Sequence, residues 1–306
     1  MIARRSLLGS LAALPLLGTR AFAASSPAPA AALHTRLIPG ANQQVPVIGV
    51  GTARRYAEAT GEEQLAPLRA SIARFSALGG RVIDTAPSYG KAESVVGLLV
   101  EELRLRDRLF LATKVGADSP AEGRAQVEQS FRNLRTKIID LIAVHNLRDV
   151  TNQLAILREL KAEKRIRSIG ATTSSDQQYT DFEAMMRREK LDVIQIDYAL
   201  DNRDAGQRIL PLAQEQGLAV MINLPFGRGR LFQATEGRPL PPWAAEIGAT
   251  TWAKIFLKYI VSHPARPIAI PGMAQARYVD DNMGAARGPL PDAAVRLRME
   301  QFIDGL

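Results

Sequence analysis

The chain has 306 residues, of which 46% are hydrophobic and 23% are charged, and it contains no cysteine. This composition excludes fibrous, disordered and disulfide-stapled proteins, as well as thiolate metal sites and cysteine nucleophiles. A net charge of +8 without a Lys/Arg run interleaved with aromatics predicts no nucleic-acid partner. Three histidines make a multi-histidine metal site unexpected, and no apolar run is long enough for stable membrane insertion.

The first 23 residues carry the three parts of an export signal. Arg4 and Arg5 precede an apolar stretch from Leu7 to Leu17, and Ala21-Phe22-Ala23 fits the A-x-A cleavage pattern. The arginine pair followed by Ser-Leu-Leu resembles the twin-arginine signal. The alternative is that this segment forms a core helix or a membrane anchor. Gly9, Pro15 and Gly18 disfavour a long helix and therefore disfavour this alternative. We therefore predict a twin-arginine-type signal peptide over 1–23, a flexible linker over 24–34, passage through the Tat export machinery, and a periplasmic or other extracytoplasmic location.

From residue 35 onward, short β-type runs alternate with amphipathic helical patterns. Eight strands are predicted, at 47–52, 82–86, 109–115, 138–145, 166–172, 193–199, 219–225 and 267–271. Helices are predicted between them, for example at 62–78, 92–106, 121–135 and 150–164. Eight strand–helix units favour an α/β fold, a closed (β/α)8 TIM barrel over 35–306. The turn-rich segment 35–44 predicts a β-hairpin cap at the bottom of the barrel, and 292–303 predicts an extra C-terminal helix.

Four polar residues fall at or just after three consecutive strand ends, where barrel enzymes build their active sites. Asp84 and Lys114 carry opposite charges on adjacent strands and are expected to pair, because a buried lone charge is costly. A buried ammonium beside Tyr89 favours the phenolate and makes the phenol a better general acid. His145 can orient a carbonyl oxygen. Taken singly, each residue also fits a structural role, but their joint placement favours catalysis.

Residues 83–93, IDTAPSYGKAE, resemble the signature of aldo-keto reductases, and the resemblance continues through 112–115, 166–170, 195–198 and 270–272. It implies Tyr89 as proton donor, Lys114 and Asp84 as the pair that tunes it, and His145 as the residue that orients the carbonyl. It also implies hydride transfer from NADPH, with NADH as the alternative carrier, to a small-molecule aldehyde or ketone that becomes an alcohol.

The cofactor positions follow partly from this resemblance and partly from glycine and arginine chemistry at a pyrophosphate. The predicted cofactor-binding residues are Gly51, Thr52, Thr172, Thr173, Gln195, Gly227, Arg228, Arg230, Gly272, Arg277 and Asn282. No metal ligands are predicted.

Three positions depart from the family pattern. Thr173 stands where the family commonly has an amide side chain, Asn223 where it has a stacking aromatic ring, and Tyr278 where it often has a basic residue. These departures motivate an alternative, a catalytically weak or inactive aldo-keto reductase-like binding or regulatory module. A metal-dependent barrel isomerase is disfavoured, because no set of strand-end ligands can be assembled.

Overall fold

The computed structural model describes residues 31–306, so the predicted signal peptide and most of the predicted linker lie outside the described residues. The chain first forms an antiparallel hairpin of β1 (Thr35–Ile38) and β2 (Gln43–Pro46). The segment before the hairpin already contacts the C-terminal part of the chain, since the His34 backbone amide donates a hydrogen bond to the Ala286 carbonyl at 2.7 Å. The structured chain therefore begins before the predicted boundary at Thr35.

Eight parallel strands follow, each hydrogen-bonded to the next along the chain. They are β3 (Val50–Gly51), β4 (Val82–Asp84), β5 (Phe110–Val115), β6 (Ile139–His145), β7 (Ile166–Thr172), β8 (Val193–Asp197), β9 (Ala219–Asn223) and β10 (Ile268–Ala269). Parallel bridges join Ile48 to Ala269 and Gly51 to Gly272, so the first and last strands close the sheet. The predicted (β/α)8 barrel with its N-terminal hairpin is confirmed.

Helices connect the strands and cover the outside of the barrel. They are α1 (Arg55–Glu58), α2 (Glu62–Ala77), α3 (Ala92–Glu102), α4 (Pro120–Asn133), α5 (Val150–Ala162), α6 (Tyr179–Arg188), α7 (Ile209–Glu215), α8 (Arg230–Ala234), α9 (Trp252–Val261), α10 (Ala276–Gly284) and α11 (Ala293–Asp304). Asp292 caps the predicted C-terminal helix α11, because its carboxylate accepts from the Val295 amide at 2.9 Å. Among residues 31–306, no helix has the length and apolar character needed to cross a bilayer.

The alternating side chains of the strands explain why the barrel has an apolar bottom and a polar top. Successive residues of a strand point to opposite faces, so every second residue faces the interior. The interior side chains at the strand starts form one apolar cluster with the hairpin residues Ile38 and Val45. The same inward series ends in polar side chains at Asp84, Lys114 and His145, which therefore meet at the top.

Some predicted boundaries differ from those observed. The first and last strands are shorter than predicted, and their remaining pairs are isolated bridges. Pro267 and Pro271 lack the N–H that a continuous ladder needs. Helix α3 ends at Glu102 rather than at 106, because Arg104 adopts a left-handed conformation with φ of 52° and a 3-10 turn follows.

Candidate active site

A buried ion pair lies at the top of β4 and β5. The Lys114 ammonium donates to both oxygens of the Asp84 carboxylate, at 3.0 and 2.8 Å, and to the Thr85 carbonyl at 2.8 Å. Lys114 is only 2% exposed and Asp84 only 4% exposed. Three acceptors use all three ammonium protons, so the buried charge is both compensated and hydrogen-bonded.

Two predicted cofactor residues, one on β8 and one just after β3, support Asp84. Gln195 on β8 donates from Nε2 to the Asp84 carboxylate at 2.9 Å, and the Thr52 hydroxyl donates to the Asp84 carbonyl at 2.9 Å. Burial by itself lowers the pKa of Lys114, but the Asp84 carboxylate and the Tyr89 phenol outweigh burial and raise it above its usual value. Lys114 is therefore a permanent cation at neutral pH.

Tyr89 and His145 lie next to this cation. The Lys114 ammonium is 5.0 Å from the centroid of the Tyr89 ring, and the Tyr89 and His145 rings meet edge to face with centroids 6.2 Å apart. Burial, followed by the charges of Lys114 and Arg148, lowers the pKa of His145 to about 4. The imidazole is therefore neutral near pH 7 and can donate one N–H. The structure brings all four predicted catalytic residues together.

The turn that carries Tyr89 is fixed by backbone contacts. The Tyr89 amide donates to the Ala86 carbonyl at 3.0 Å, and the Lys91 amide donates to the Ala57 carbonyl at 3.0 Å. Gly90 between them has φ of 53°, a left-handed conformation that suits glycine. The phenol thus projects from a turn that is hydrogen-bonded to helix α1.

A cleft of about 490 Å³ opens beside Tyr89 and Asp84. The loops after β3, β4, β9 and β10 form its walls. Four predicted cofactor residues line it: Gly51, Thr52, Arg228 and Gly272. The cleft lining also includes Arg54 and Arg55, in the loop that the sequence places near the substrate mouth, and Phe232, which was not predicted. Phe232 packs against Phe226 with ring centroids 4.9 Å apart, and both rings line the cleft.

The other predicted cofactor residues lie behind or beside the cleft lining. Thr172, Thr173, Gln195 and Asn282 are buried, with 4% exposure or less. Arg277 stacks on the exposed ring of its neighbour Tyr278, 4.9 Å from the ring centroid, and Tyr278 is the one of the two that lines the cleft. A role for these residues in cofactor binding stays a prediction.

Asp201 explains the positions of Gly227 and Arg230. The Asp201 carboxylate accepts from Arg230 Nε at 2.9 Å, and it occupies the space where any side chain at residue 227 would lie. Gly227, Arg228 and Gly229 all have positive φ, with values of 56°, 56° and 99°. Arg230 is thus neutralised by Asp201, whereas Arg228 forms no ion pair within residues 31–306 and faces the cleft. Asp201 could not be predicted from any local sequence pattern, because its contact depends on two loops meeting in space.

Charges around the cleft are mostly positive. Arg54, Arg55 and Arg228 line it, and none of them forms a salt bridge within the described part of the chain. The only carboxylate in the lining belongs to Asp84, which Lys114 neutralises. Among residues 31–306, no three His, Asp or Glu side chains converge as a metal site would require.

Comparisons with known proteins agree with this geometry. The sequence model of the aldo/keto reductase family matches residues 47–300. The NADH-specific methylglyoxal reductase of Escherichia coli K12 is 28% identical over 181 residues, which cover 50% of this chain and 54% of that protein. The chain thus spans about half the length of that relative. An aldo-keto reductase of Strobilurus tenacellus is 25% identical over 257 residues, covering 71% and 76% of the two chains.

Among solved structures, an aldo/keto reductase of Klebsiella pneumoniae in complex with NADP and acetate superimposes with a TM-score of 0.75. It is 26% identical, and the match covers 88% of this chain and 95% of that one. The barrel, the four residues at its top and the family match over 47–300 lead to one conclusion. The chain belongs to the aldo/keto reductase family.

Proposed function

We propose that the protein is an NAD(P)H-dependent oxidoreductase that reduces the carbonyl of an aldehyde or ketone to an alcohol, with Tyr89 as the proton donor. One observation carries this proposal: a fully hydrogen-bonded ammonium, Lys114, lies beneath a tyrosine that faces a large cleft, with a neutral imidazole at its edge. The Klebsiella structure that binds NADP and the Escherichia coli reductase support the choice of cofactor.

The cleft has the features that a dinucleotide requires. Gly229 and Gly272 border open space, since a Cβ atom added at either residue would meet no atom closer than 3.9 Å, so their backbones are accessible. The unpaired arginines of the cleft suit phosphate groups. The buried Asn223 Oδ1 has no hydrogen-bond partner within residues 31–306 and can accept a hydrogen bond from an N–H group. The residues present therefore fit a nicotinamide dinucleotide, held by Arg228 and the glycine backbones. When bound, this cofactor supplies the hydride.

The chain's own residues supply the proton that reduction consumes and stabilise the phenolate that is left behind. The Tyr89 phenol donates its proton to the carbonyl oxygen as that oxygen gains negative charge. The Lys114 ammonium stabilises the phenolate that remains, because it is itself buried and lies 5.0 Å from the centroid of the phenol ring. Asp84 holds the ammonium in place, and Gln195 holds the carboxylate, so the cation is positioned before the reaction begins.

His145 orients the substrate. A neutral imidazole N–H can donate a hydrogen bond to the carbonyl oxygen, which polarises the carbonyl and directs it toward Tyr89. A protonated imidazole would instead place a second positive charge near Lys114. Burial and the neighbouring cations keep His145 neutral at physiological pH.

A binding or regulatory module is the alternative function, and a titration separates the two. NADPH and NADH fluorescence is followed as wild-type protein is added, and turnover is then assayed with simple aldehydes. Nicotinamide binding with turnover is expected, and an Arg228→Gln variant should bind NADPH more weakly than an Arg81→Gln control. Arg81 is exposed at the start of β4, at the opposite end of the barrel. The absence of binding to either nucleotide would favour the module.

We further propose that the enzyme acts outside the cytoplasm. The support is the sequence pattern of residues 1–23, which lies outside the described residues. Because the twin-arginine route exports folded proteins, a cofactor acquired in the cytoplasm can be carried across. The Tat machinery is therefore the proposed transient partner.

A further inference from the structure

Glu93 is a buried acidic residue that the proposed mechanism does not use. It lies in the first turn of α3, shortly after Tyr89 in the chain, and is only 2% exposed. Its carboxylate forms no salt bridge within residues 31–306, and its two oxygens accept hydrogen bonds from neutral groups instead. The Thr113 hydroxyl on β5 donates at 2.6 Å, and the Asn133 amide at the end of α4 donates at 3.1 Å. Because a buried carboxylate without a counter-charge is costly, an apolar side chain would serve packing alone better.

Thr113, the donor on β5, immediately precedes Lys114. Successive side chains of a strand point to opposite faces, so the Thr113 hydroxyl faces the helices while the Lys114 ammonium faces the interior of the barrel. The hydrogen bond from Thr113 to Glu93 therefore joins the helix that follows Tyr89 to the strand that carries the lysine. It links the two segments whose side chains must meet for proton transfer.

The segment 86–92, which carries the proton-donating phenol, is attached to β5 at both ends. Before it, the Thr85 amide donates to the Ala112 carbonyl at 2.9 Å. After it, the Glu93 carboxylate accepts from Thr113. The two attachment points are adjacent residues of one strand, so they limit how far the segment can move relative to that strand. A phenol held in this way needs little reorganisation before it reacts.

The contact between α3 and α4 holds the Glu93 carboxylate in this orientation. A Cβ atom at Gly97 would collide with the Asn133 carbonyl oxygen, so the two helices meet there with no side chain between them. Glu93 lies one helical turn before Gly97 and therefore on the same face of α3. With one carboxylate oxygen bound by Asn133, the other is directed at Thr113.

We propose that Glu93 is a positioning residue that acts through Thr113 to hold the Tyr89 phenol against the Lys114 ammonium, which lies 5.0 Å from the centroid of the phenol ring. The inference rests on the proposed reductase function and adds a residue to it. Neither Glu93 nor Thr113 lines the cleft. Loosening their hydrogen bond should therefore slow proton transfer without weakening the binding of aldehyde or cofactor.

Two substitutions at Thr113 test this role. Thr113→Val keeps the size of the side chain and removes the hydroxyl, whereas Thr113→Ser keeps the hydroxyl. With propanal and NADPH, Thr113→Val should lower kcat roughly tenfold, the effect of losing one hydrogen bond to a charged group. The KM for propanal and the Kd for NADPH should stay within about twofold of the wild-type values. Thr113→Ser should retain at least about half of the wild-type kcat.

A second variant covers the case in which Thr113→Val does not fold, since that substitution leaves a buried carboxylate with one donor fewer. Thr113→Val/Glu93→Met replaces both partners by apolar side chains of similar size, which is far less destabilising than removing one partner. The double variant should show the same roughly tenfold loss of kcat, because the hydrogen bond between α3 and β5 is absent there too.

Combination with Tyr89→Phe separates positioning from a general loss of structure. The Tyr89→Phe protein has no phenolic proton to place, so adding Thr113→Val should change its residual kcat by less than about twofold. Damage to the barrel as a whole would lower kcat by the same factor in both backgrounds.

Asp140→Asn is the control for stability. Asp140 is buried at the start of β6, at the opposite end of the barrel, where its carboxylate accepts from the Leu111 amide of β5 at 2.9 Å. The Asp140→Asn variant should be less stable than the wild type in urea unfolding and should keep kcat within about twofold of the wild-type value.

Four results would overturn the inference while leaving the reductase function intact. They are an unchanged kcat in Thr113→Val, an equal loss in the Tyr89→Phe background, a loss confined to KM or to the Kd for NADPH, and wild-type kcat in the double variant Thr113→Val/Glu93→Met. A wild-type protein that reduces no aldehyde and binds neither NADPH nor NADH would instead overturn the proposed function and this inference with it.

Discussion

The Asp84–Lys114 pair offers a direct test of how the active site is held. Both side chains are almost completely buried, and within residues 31–306 the carboxylate is the only acidic group that forms a salt bridge with the ammonium. The substitution Asp84→Asn preserves the shape of the side chain but leaves a buried cation uncompensated. Burial then becomes the dominant influence and lowers the pKa of Lys114. Turnover should fall, because the phenolate of Tyr89 loses its stabilising charge.

The size of the stability loss follows from the burial. Removing one partner of a buried ion pair costs about 3–5 kcal/mol of the free energy of unfolding. Lys114→Met should also destabilise, though less, because Asp84 keeps its hydrogen bond from Gln195. Removing both charges in Asp84→Asn/Lys114→Met should bring stability back to within about 1–2 kcal/mol of the wild type, since no lone charge remains.

Urea unfolding of the four proteins at pH 7, without cofactor, measures these differences. Asp280→Asn is the control, because Asp280 pairs with Arg74 in an ion pair whose side chains are nearly half exposed. Such surface pairs contribute less than about 1 kcal/mol. The reasoning fails if Asp84→Asn costs no more than the control, or if the double variant is as unstable as the sum of the two single variants.

Three further predictions concern catalysis, acid stability and export. Tyr89→Phe should lower turnover by roughly 10²–10⁴-fold while leaving the NADPH affinity within a few-fold, as steady-state kinetics and fluorescence titration would show; unchanged turnover would remove Tyr89 from the mechanism. Because the pKa of His145 is about 4 in the folded protein and near 6.5 in the unfolded chain, the unfolded chain binds the extra proton first, and stability should fall as the pH drops from about 6.5 to 4. The protonation of His145 accounts for a loss of up to about 3 kcal/mol in the free energy of unfolding. The His145→Gln variant should therefore lose less stability than the wild type between pH 7 and 4.5, as measured by urea unfolding. Arg4→Lys/Arg5→Lys should keep the protein in the cytoplasm, and cell fractionation that finds the variant exported normally would contradict the signal prediction.

The sequence predicted the residues at the top of the barrel because each is a polar residue at or near the end of a short apolar run. For Asp84, Lys114 and His145 this contrast with apolar neighbours is visible without knowledge of the fold. The contacts across the barrel were not predictable in the same way. Gln195 reaches Asp84 from a strand that is not its neighbour and lies 111 residues further along the chain. The formation of the cleft likewise depends on loop conformations that no local pattern encodes.

Two departures from the family pattern meet in the structure and bear on whether the site is functional. Thr173 replaces a residue that commonly carries an amide, but the Asn223 side chain on the neighbouring side of the barrel donates from Nδ2 to the Thr173 carbonyl at 3.3 Å. An amide side chain from β9 thus lies beside residue 173, and the Asn223 Oδ1 is buried without a partner in the described chain.

An unsatisfied buried acceptor costs folding free energy, about 1–3 kcal/mol, unless a ligand satisfies it. Asn223→Leu removes this unsatisfied acceptor together with the Nδ2 donor to the Thr173 carbonyl, so the two effects offset and the free energy of unfolding of the cofactor-free protein should change by less than about 1 kcal/mol. The Kd for NADPH should rise roughly tenfold. Urea unfolding and fluorescence titration of the same preparation measure the two quantities, and a loss of affinity without a loss of stability identifies a ligand-binding residue. If Asn223→Leu destabilises the protein and leaves the Kd unchanged, Asn223 serves only the fold, and the substitution at residue 173 is uncompensated.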